Sequence, residues 1–286
     1  MATLYLVSTP IGNLGDLSPR AADTLRSVAR VLAEDTRRSR VLTEHAGSSA
    51  PLVSLHAHNE AERTAQILAW LDAGEDLALV SDAGTPLVSD PGGRVVSAVS
   101  GAGHAVVPIP GPSAVLAALV GSGLPTGRFA FLGFPDRKGG GRRRLFERVA
   151  HSEETTVLFE SPNRVVALLE GLAEACGPDR TVAVARELTK IHEEWVRGTL
   201  AEAAAYYRER PPRGEVTVVV APAEPKAAEG DRSGEAERLA EALLEAGLKP
   251  SQVARALADK LDLARNQAYR IVHDLNDGGG GGPTQE

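Results

Sequence analysis

The sequence is poor in the residues that build cross-linked or membrane-spanning proteins. Its 286 residues include one cysteine, Cys176. A single cysteine excludes a disulfide framework or a cysteine metal site within one chain, which fits a reducing cytoplasm. No apolar run approaches the roughly 20 residues of a membrane span, and the first residues lack the basic start and apolar stretch of a signal peptide. We therefore expect a cytoplasmic protein with no membrane segment.

The chain also lacks an excess of basic charge. Its 31 Lys and Arg against 38 Asp and Glu give a formal net charge of −7. The charge of the whole chain therefore does not indicate nucleic-acid binding, although a local basic segment can still provide it. The hydrophobic fraction of 43% is ordinary for a globular protein, and the length allows one large or two modest domains.

Short apolar runs alternate with amphipathic segments, which predicts α/β layers. The predicted strands cover 3–8, 31–33, 77–81, 105–109, 129–132, 155–159, 181–185 and 216–220. Proline and glycine interrupt the pattern around residues 110–127, so we expect two α/β domains with a boundary there. The predicted divisions are residues 1–111 and 112–222, a polar linker at 223–234, a helix-turn-helix-like bundle at 235–277, and a disordered tail at 278–286.

The stretch VSDAGTPLVSDPGG, residues 80–93, looks at first like a phosphate-binding loop after a strand. It lacks the P-loop lysine, and its Asp82 and Asp90 would repel a triphosphate unless a metal intervened. The turn TPIGNLGD at 9–16 is not a dinucleotide fingerprint either. Two such turns facing one crevice, one of them lined by carboxylate, suit a cationic ligand without phosphate, such as S-adenosylmethionine. The alternative is that both are tight turns that cap helices.

Eight short blocks occur in an order that resembles a known family. They are TPIGNLGDLSPRA (9–21), AEDTRRSRVL (33–42), HNE (58–60), SDAGTPLVSDPG (81–92), PGPSA (110–114), FESPNR (159–164), ARELTK (185–190) and GE (214–215). Together they resemble the 2′-O-ribose methyltransferases of small-subunit ribosomal RNA, in the tetrapyrrole methylase-like superfamily. The resemblance covers about residues 3–221, and the helical bundle is similar to the family's C-terminal module. Ser8 departs from the pattern, since a glycine is common there.

The resemblance implies two α/β domains of the tetrapyrrole methylase type, with S-adenosylmethionine in the cleft between them, and a homodimer. It implies cytidine 1402 in the decoding region of 16S ribosomal RNA as the target, on the assembled small subunit. By analogy with the superfamily, the cofactor would contact turns after the first strands and strand ends of the second domain. The residues at these places are Pro10, Ile11, Asp82, Ala83, Thr85, Val88, Ser113, Ala114, Phe159 and Ala185.

Methyl transfer to a ribose hydroxyl requires in-line alignment, and a general base assists it. The main candidates for the base are Asp35, Glu187 and Lys190, each just after a predicted strand, and the residues leave the assignment open. Further carboxylates near the blocks are Glu34, Glu60 and Glu160. The neighbouring cations that would hold RNA phosphates are Arg37, Arg38, Arg164 and Arg186. The alternative is that these charges form a structural ion-pair network.

A local basic segment, FPDRKGGGRRRLFER at 134–148, stands out in this acidic chain. We expect RNA contacts there from Arg137, Lys138, Arg142, Arg143 and Arg144, with Arg148 beside them. The alternative is a solvated loop. His56, His58 and Glu60 would share one face of a strand, as zinc ligands do, but the chemistry needs no zinc and Asn59–Glu60 looks like a helix start, so no metal is expected.

Two other functions share parts of this pattern. A porphyrinoid methyltransferase of the same fold would have a wide apolar cleft and no use for the basic segment. A catalytically silent, RNA-binding assembly factor would not bind the cofactor.

Overall fold

The computed structural model describes residues 2–223, 229–261, 263 and 265–278. The chain divides into two compact units, Met1–Ala223 and Glu224–Glu286. Within the described ranges, no helix has the length and apolar character needed to cross a membrane.

The first sheet of the larger unit is entirely parallel, with the strand order β3-β2-β4-β1-β5. Its strands are β1 (Thr3–Val7), β2 (Arg30–Ala33), β3 (Leu52–Ser54), β4 (Leu77–Val80) and β5 (Ala105–Ile109). The helices between them are α1 (Pro19–Ser27), α2 (Thr36–Ala46), α3 (Glu60–Asp72) and α4 (Gly93–Gly101). Because helices cover both faces of the sheet, β4 is an unbroken apolar run that is buried throughout.

The helices that follow the neighbouring strands β1 and β4 lie on opposite faces of this sheet. Leu25 of α1 and Leu42 of α2 pack in one core cluster with Val80. Ile67 of α3 and Val95 of α4 pack in another cluster on the other face. The loops that leave β1 and β4 therefore diverge, and this topology opens a crevice at the carboxyl edge of the sheet.

The second sheet is mixed, with the order β6-β7-β10-β8-β9. Its strands are β6 (Phe129–Phe131), β7 (Thr155–Glu160), β8 (Thr181–Arg186), β9 (Glu194–Thr199) and β10 (Val216–Val220). Only β6 and β7 run parallel among the described strand pairs of this sheet. Helix α5 (Ala114–Gly121) packs on one face, and α6 (Gly140–Ala150), α7 (Val165–Cys176) and α8 (Leu200–Glu209) pack on the other.

The prediction of α/β layers is confirmed by these two helix-covered sheets. Both sheets belong to one compact unit, so the division at residue 111 stays a prediction. Two strands were not predicted. β3 has only three residues, and β9 (Glu194–Thr199) contains charged residues and a glycine that hide its strand character.

The smaller unit is a three-helix bundle of α9 (Glu229–Glu245), α10 (Pro250–Leu261) and α11 (Arg265–Gly278). Its core is built from small and branched residues, including Ala240, Val253 and Leu257. Helix α9 begins inside the segment predicted as a linker at 223–234, since a helix held by a packed core extends at little cost. The predicted tail at 278–286 lies, apart from its first residue, outside the described residues.

Candidate active site

The loops that leave β1 and β4 are joined across the crevice. We call residues 8–13 the β1 loop and residues 81–92 the β4 loop. Thr9 N donates to Gly84 O at 2.9 Å, and Gly84 N donates back to Thr9 O at 3.0 Å. Thr9 Oγ1 also donates to Ser81 O at 3.1 Å. These hydrogen bonds hold the β1 loop and the β4 loop side by side. Thr85 Oγ1 of the β4 loop also donates to Pro112 O at 3.3 Å.

Two glycines let the loops of both sheets approach each other. A Cβ on Gly84 would lie 3.3 Å from Ile11 Cγ2, and a Cβ on Gly12 would lie 2.4 Å from Lys190 Cγ. We call residues 187–193 the β8 loop. The β1 loop therefore lies between the β4 loop of the first sheet and the β8 loop of the second. This junction is the candidate site.

Backbone strain is concentrated in the same two flanking loops. Among the described residues, the non-glycine residues with left-handed φ are Leu87 and Ser89 in the β4 loop and Glu187 and Thr189 in the β8 loop. Such conformations are costly, and they cluster where function requires a particular loop shape. The strain thus marks both sides of the crevice independently of side-chain chemistry.

Carboxylates gather under the β4 loop. Asp35 N donates to Asp82 Oδ1 at 3.1 Å, and Arg38 Nη1 lies 3.6 Å from Asp82 Oδ2. Partial burial and the charges of Asp82 and Asp90 raise the pKa of Glu34. Burial also raises the pKa of Asp90, although its carboxylate accepts a hydrogen bond from Ser81 Oγ. The crevice is therefore rich in negative charge, which suits a cationic ligand.

The raised pKa of Asp90 predicts a pH-dependent stability effect. The folded chain holds this proton more tightly than the unfolded chain, so its stabilising contribution is full below about pH 4 and is lost as pH rises through the raised pKa. We expect Asp90→Asn to be more stable than the wild type at pH 7, with a gain that shrinks towards pH 4. Urea unfolding at both pH values measures it, with the exposed Asp179→Asn as control. An equal gain at both pH values would contradict this origin.

The three predicted base candidates are all held in their charged forms. Asp35 caps α2 and accepts from Arg37 N at 2.9 Å, and the hydrogen bonds from Arg37 lower its pKa. Lys190 Nζ donates to Glu187 Oε1 at 2.7 Å and to Glu215 Oε2 at 3.1 Å. Burial alone would raise the pKa of Glu187 and lower that of Lys190, but these bonds reverse both shifts. Lys190 is therefore an ammonium at neutral pH and cannot accept a proton.

Glu34 differs from the three main base candidates. It directly follows β2 at the carboxyl edge, and its raised pKa makes it a stronger base than its neighbour Asp35. Its position in the block AEDTRRSRVL was the available signal, but two adjacent carboxylates cannot be ranked without their surroundings.

The predicted phosphate-binding arginines divide into two groups. The side chains of Arg37 and Arg38 are 90% and 70% exposed beside the crevice. Arg164 instead pairs with the fully buried carboxylate of Glu160 at 2.5 Å, and Arg186 pairs with Glu194 at 2.7 Å. Arg164 and Arg186 therefore make structural ion pairs with carboxylates of the same chain, which is the alternative to phosphate binding.

The basic segment forms the loop before α6 and most of that helix. Five of its cations are exposed, namely Arg137, Lys138, Arg143, Arg144 and Arg148. Arg142 differs, because its side chain is only 14% exposed. Its guanidinium lies 4.7 Å from the ring centre of Phe146, and its Nη2 donates to Ala167 O at 3.0 Å. Arg142 thus anchors α6 on α7 rather than presenting its charge to solvent.

The predicted cofactor residues lie in two loops of the first sheet, at the start of α5 and on two strands of the second sheet. Pro10 and Ile11 are in the β1 loop, and Asp82, Ala83, Thr85 and Val88 are in the β4 loop, while Ser113 caps α5 just before Ala114. Phe159 and Ala185 both pair with Thr217 of β10, so they flank it at one level of the second sheet. The Asp82 carboxylate is directed towards α2. Among the described residues, no cluster of His, Cys, Asp or Glu could hold a metal ion.

Comparison with known proteins identifies the family of the chain. The sequence profile of the tetrapyrrole (corrin/porphyrin) methylases matches residues 3–204. The X-ray structure of cobalt precorrin-4 methyltransferase superposes with a TM-score of 0.61 at 17% identity, covering 77% of this chain and 94% of that one. A uroporphyrin-III C-methyltransferase from Thermus thermophilus, complexed with S-adenosylhomocysteine, gives 0.56 at 22% identity, covering 76% and 97%. At such identities the likeness concerns the fold, and it confirms the predicted fold type.

Curated relatives are much closer in sequence. The ribosomal RNA small subunit methyltransferase I of Synechocystis sp. is 46% identical over 279 residues, covering 96% of this chain and 99% of that protein. The protein of the same name from Xylella fastidiosa is 45% identical over 269 residues, covering 93% and 97%. The chain therefore belongs to the tetrapyrrole methylase family and, within it, to the group of ribosomal RNA small subunit methyltransferase I proteins.

Proposed function

We propose that this protein is an S-adenosylmethionine-dependent methyltransferase that methylates the 2′-hydroxyl of cytidine 1402 in 16S ribosomal RNA, on the assembled small subunit. The observation that carries the activity is the 46% identity to a ribosomal RNA small subunit methyltransferase I over nearly the full length of both chains. The ribose position and the target nucleotide rest on the resemblance of the eight sequence blocks.

The crevice residues fit the cofactor. S-adenosylmethionine supplies a methyl group on a cationic sulfur, and the carboxylates under the β4 loop favour such a charge. The residues proposed to hold it are Pro10, Ile11, Ala83, Thr85, Val88, Ser113, Ala114, Phe159 and Ala185, with Asp82 through its main chain. The close contact of Gly84 with Ile11 shows how little space separates the two loops, which favours recognition through the backbone.

Charged residues at the junction and after β2 would orient and activate the ribose. The Lys190 ammonium, held by Glu187 and Glu215, can stabilise negative charge that develops on the 2′-oxygen. The two carboxylates after β2 provide the proton acceptor, and Glu34 is the stronger base of the two. Asp35 also keeps α2 and Arg37 in place through its cap.

The chemical proposal is tested by labelled methyl transfer. Small subunits from cells that lack the modification would be incubated with the protein and S-adenosylmethionine, and the RNA would be digested to nucleosides. We expect one labelled product, 2′-O-methylcytidine. A methyl group on a base nitrogen would contradict the ribose assignment.

The exposed cations of α6 are proposed to bind RNA phosphates. We expect Arg143→Gln, Arg144→Gln and Arg148→Gln together to weaken binding to the subunit and to flatten its dependence on salt, by about 0.7 in logarithmic slope for each lost phosphate contact. Filter binding over a salt series measures this. The matched control replaces the exposed Arg20, Arg94 and Arg213 by Gln. An unchanged slope in the α6 variant would contradict an RNA role for this helix.

The same variants separate the proposal from its alternatives. A porphyrinoid methyltransferase would not need the α6 cations, and the solved cobalamin and uroporphyrin methyltransferases share only the fold with this chain, at 17–23% identity. A silent assembly factor would keep the RNA effect but would not bind S-adenosylmethionine in a calorimetric titration.

A homodimer is part of the same proposal. Leu116 and Val120 lie one turn apart on α5 and are 51% and 71% exposed, although Val115 and Leu119 of the same helix are buried. Val107 on the edge strand β5 is also 37% exposed. Covering such apolar surface favours association with a second copy. Analytical ultracentrifugation measures the oligomeric state of the wild type and of a variant that carries both Leu116→Glu and Val120→Glu. We expect a dimeric wild type and a monomeric variant. If both proteins are monomers, or both are dimers, this face is not the dimer interface.

A further inference from the structure

A small cavity of about 110 Å³ lies at one side of the crevice, between the β1 loop, the β4 loop and α2, and it shares Pro10 and Asp82 with the proposed cofactor residues. Its walls include the apolar side chains of Leu14, Val41 and Leu42. Its polar lining includes Arg38, Ser39 and Asp82. An apolar slot with a few polar groups is the usual form of a site for a flat heterocycle.

The hydroxyl of Ser39 makes this cavity unusual. Ser39 is 3% exposed, and its Oγ has no hydrogen-bond partner in the described part of the chain. Other helix hydroxyls bond back to their own helix, as Thr43 Oγ1 does to Arg40 O at 3.0 Å and Thr24 Oγ1 does to Arg20 O at 2.8 Å. A buried hydroxyl without a partner costs stability, so a ligand in the cavity that reaches Ser39 Oγ would gain a hydrogen bond that the described residues do not make.

We propose that this cavity binds the cytosine base of the target nucleotide, with Ser39 and Asp82 reading its hydrogen-bonding edge. This inference rests on the proposed function. Cytosine presents an amino donor at N4 beside an acceptor at N3. Asp82 Oδ2 can accept from N4, and the Ser39 hydroxyl can donate to N3. Uracil has an oxygen at position 4, which the carboxylate would repel.

The surroundings of the cavity support a base held outside its helix. Enzymes that do chemistry on a base extrude the nucleotide and read its pairing edge against apolar side chains, and a ribose methyltransferase can select its nucleotide by the same arrangement. The exposed Arg38 stands at the cavity rim, where it can meet the phosphate of the extruded nucleotide. Asp82 also keeps its other oxygen on Asp35 N, so the reading carboxylate is fixed by the cap of α2.

Two variants separate base reading from a structural role. Asp82→Asn retains an oxygen for Asp35 N and replaces the other oxygen by an amino group. We expect its preference for cytidine over uridine at the target position to fall about tenfold, measured as kcat/KM on subunits carrying either nucleotide. Ser39→Ala should raise KM for the cytidine subunit several-fold, with affinity for S-adenosylmethionine unchanged in calorimetry.

The stability of Ser39→Ala provides an independent readout. Because the hydroxyl has no hydrogen-bond partner among the described residues, its removal should leave the melting temperature unchanged or higher. The matched control, Thr43→Val, removes a bonded hydroxyl from the same helix and should lower it. If the wild type transfers methyl groups but Asp82→Asn keeps the wild-type preference for cytidine, the inference about the cavity is wrong. The proposed function is then unaffected. A loss of cofactor affinity in Ser39→Ala overturns the inference too, because the cavity would then belong to the cofactor. If the wild type transfers no methyl group to the subunit, the proposed function itself fails.

Discussion

Replacing Glu160 by alanine is expected to lower the free energy of unfolding by about 3 to 5 kcal/mol. The Glu160 side chain lies at the end of β7 and is 0% exposed. One carboxylate oxygen accepts from Ser161 N at 2.7 Å and pairs with Arg164 at 2.5 Å, and the other lies 3.9 Å from Arg142. Without the carboxylate, two largely buried guanidinium groups face each other with no anion between them.

The measurement is equilibrium unfolding in urea, followed by far-UV circular dichroism. The control is Glu154→Ala, which breaks an ion pair with Arg128, a side chain that is 73% exposed. Such a surface pair contributes at most about 1 kcal/mol. If Glu160→Ala lost no more than this control, the buried carboxylate would not be the group that holds the two arginines.

The Glu160 cluster also shows what a count of charges along the basic segment leaves out. Six cations close together in a sequence look equivalent, and the one-sided charge of α6 is real for the five exposed residues. Arg142 alone points to the carboxylate at the end of β7 and to Phe146. Charged residues can be counted along a sequence. Whether the side chain of Arg142 points to solvent depends on the packing of α6 against α7, which a local sequence pattern does not show.

The strands that could be predicted are those whose apolar residues stand next to clear turn residues. β4 is four buried residues followed by the β4 loop, and it was predicted within one residue. β9 was missed because it lies at the edge of its sheet, where Glu194 and Arg197 are tolerated. Edge strands need less apolar character than central ones, so periodicity alone finds them poorly.

The site was predictable as a set of loops but not as a set of contacts. Parallel strands place the residues after β1, β2 and β4 at one edge, so the gathering of Thr9, Asp35 and Asp82 follows from the topology. The approach of Gly12 to Lys190 joins residues of different sheets, and nothing in either block indicates it. The charge states of the candidate bases follow from such contacts, and for this reason the sequence left them open.

Replacing Lys190 by methionine is expected to lower kcat for methyl transfer about 100-fold, with little change in affinity for S-adenosylmethionine. Methionine keeps an apolar stem against Gly12 but removes the ammonium. Glu187 and Glu215 then face each other with no cation between their carboxylates, and the strained β8 loop loses the bonds at 2.7 and 3.1 Å that hold it over the crevice.

The pH dependence of this loss follows from the two pKa shifts. The pKa of Glu187 is lowered, so its contribution is present above the ordinary glutamate pKa and is lost as pH falls through the lowered value. The pKa of Lys190 is raised, so its contribution is lost only as pH rises through that raised value. The ratio of wild-type to variant kcat should therefore be flat between about pH 6 and pH 9.

Two companion variants complete the measurement of Lys190→Met. Glu187→Gln removes the negative charge of the Lys190–Glu187 ion pair. If it lowers kcat as much as Lys190→Met does, the ion pair acts by positioning the β8 loop. A much smaller loss indicates that the ammonium itself faces the reacting oxygen. Lys260→Met removes an exposed lysine of α10 and should transfer methyl groups at the wild-type rate. Single-turnover kinetics with saturating cofactor isolates the chemical step, and a Lys190→Met rate within threefold of the wild type would reduce Lys190 to a surface ion pair.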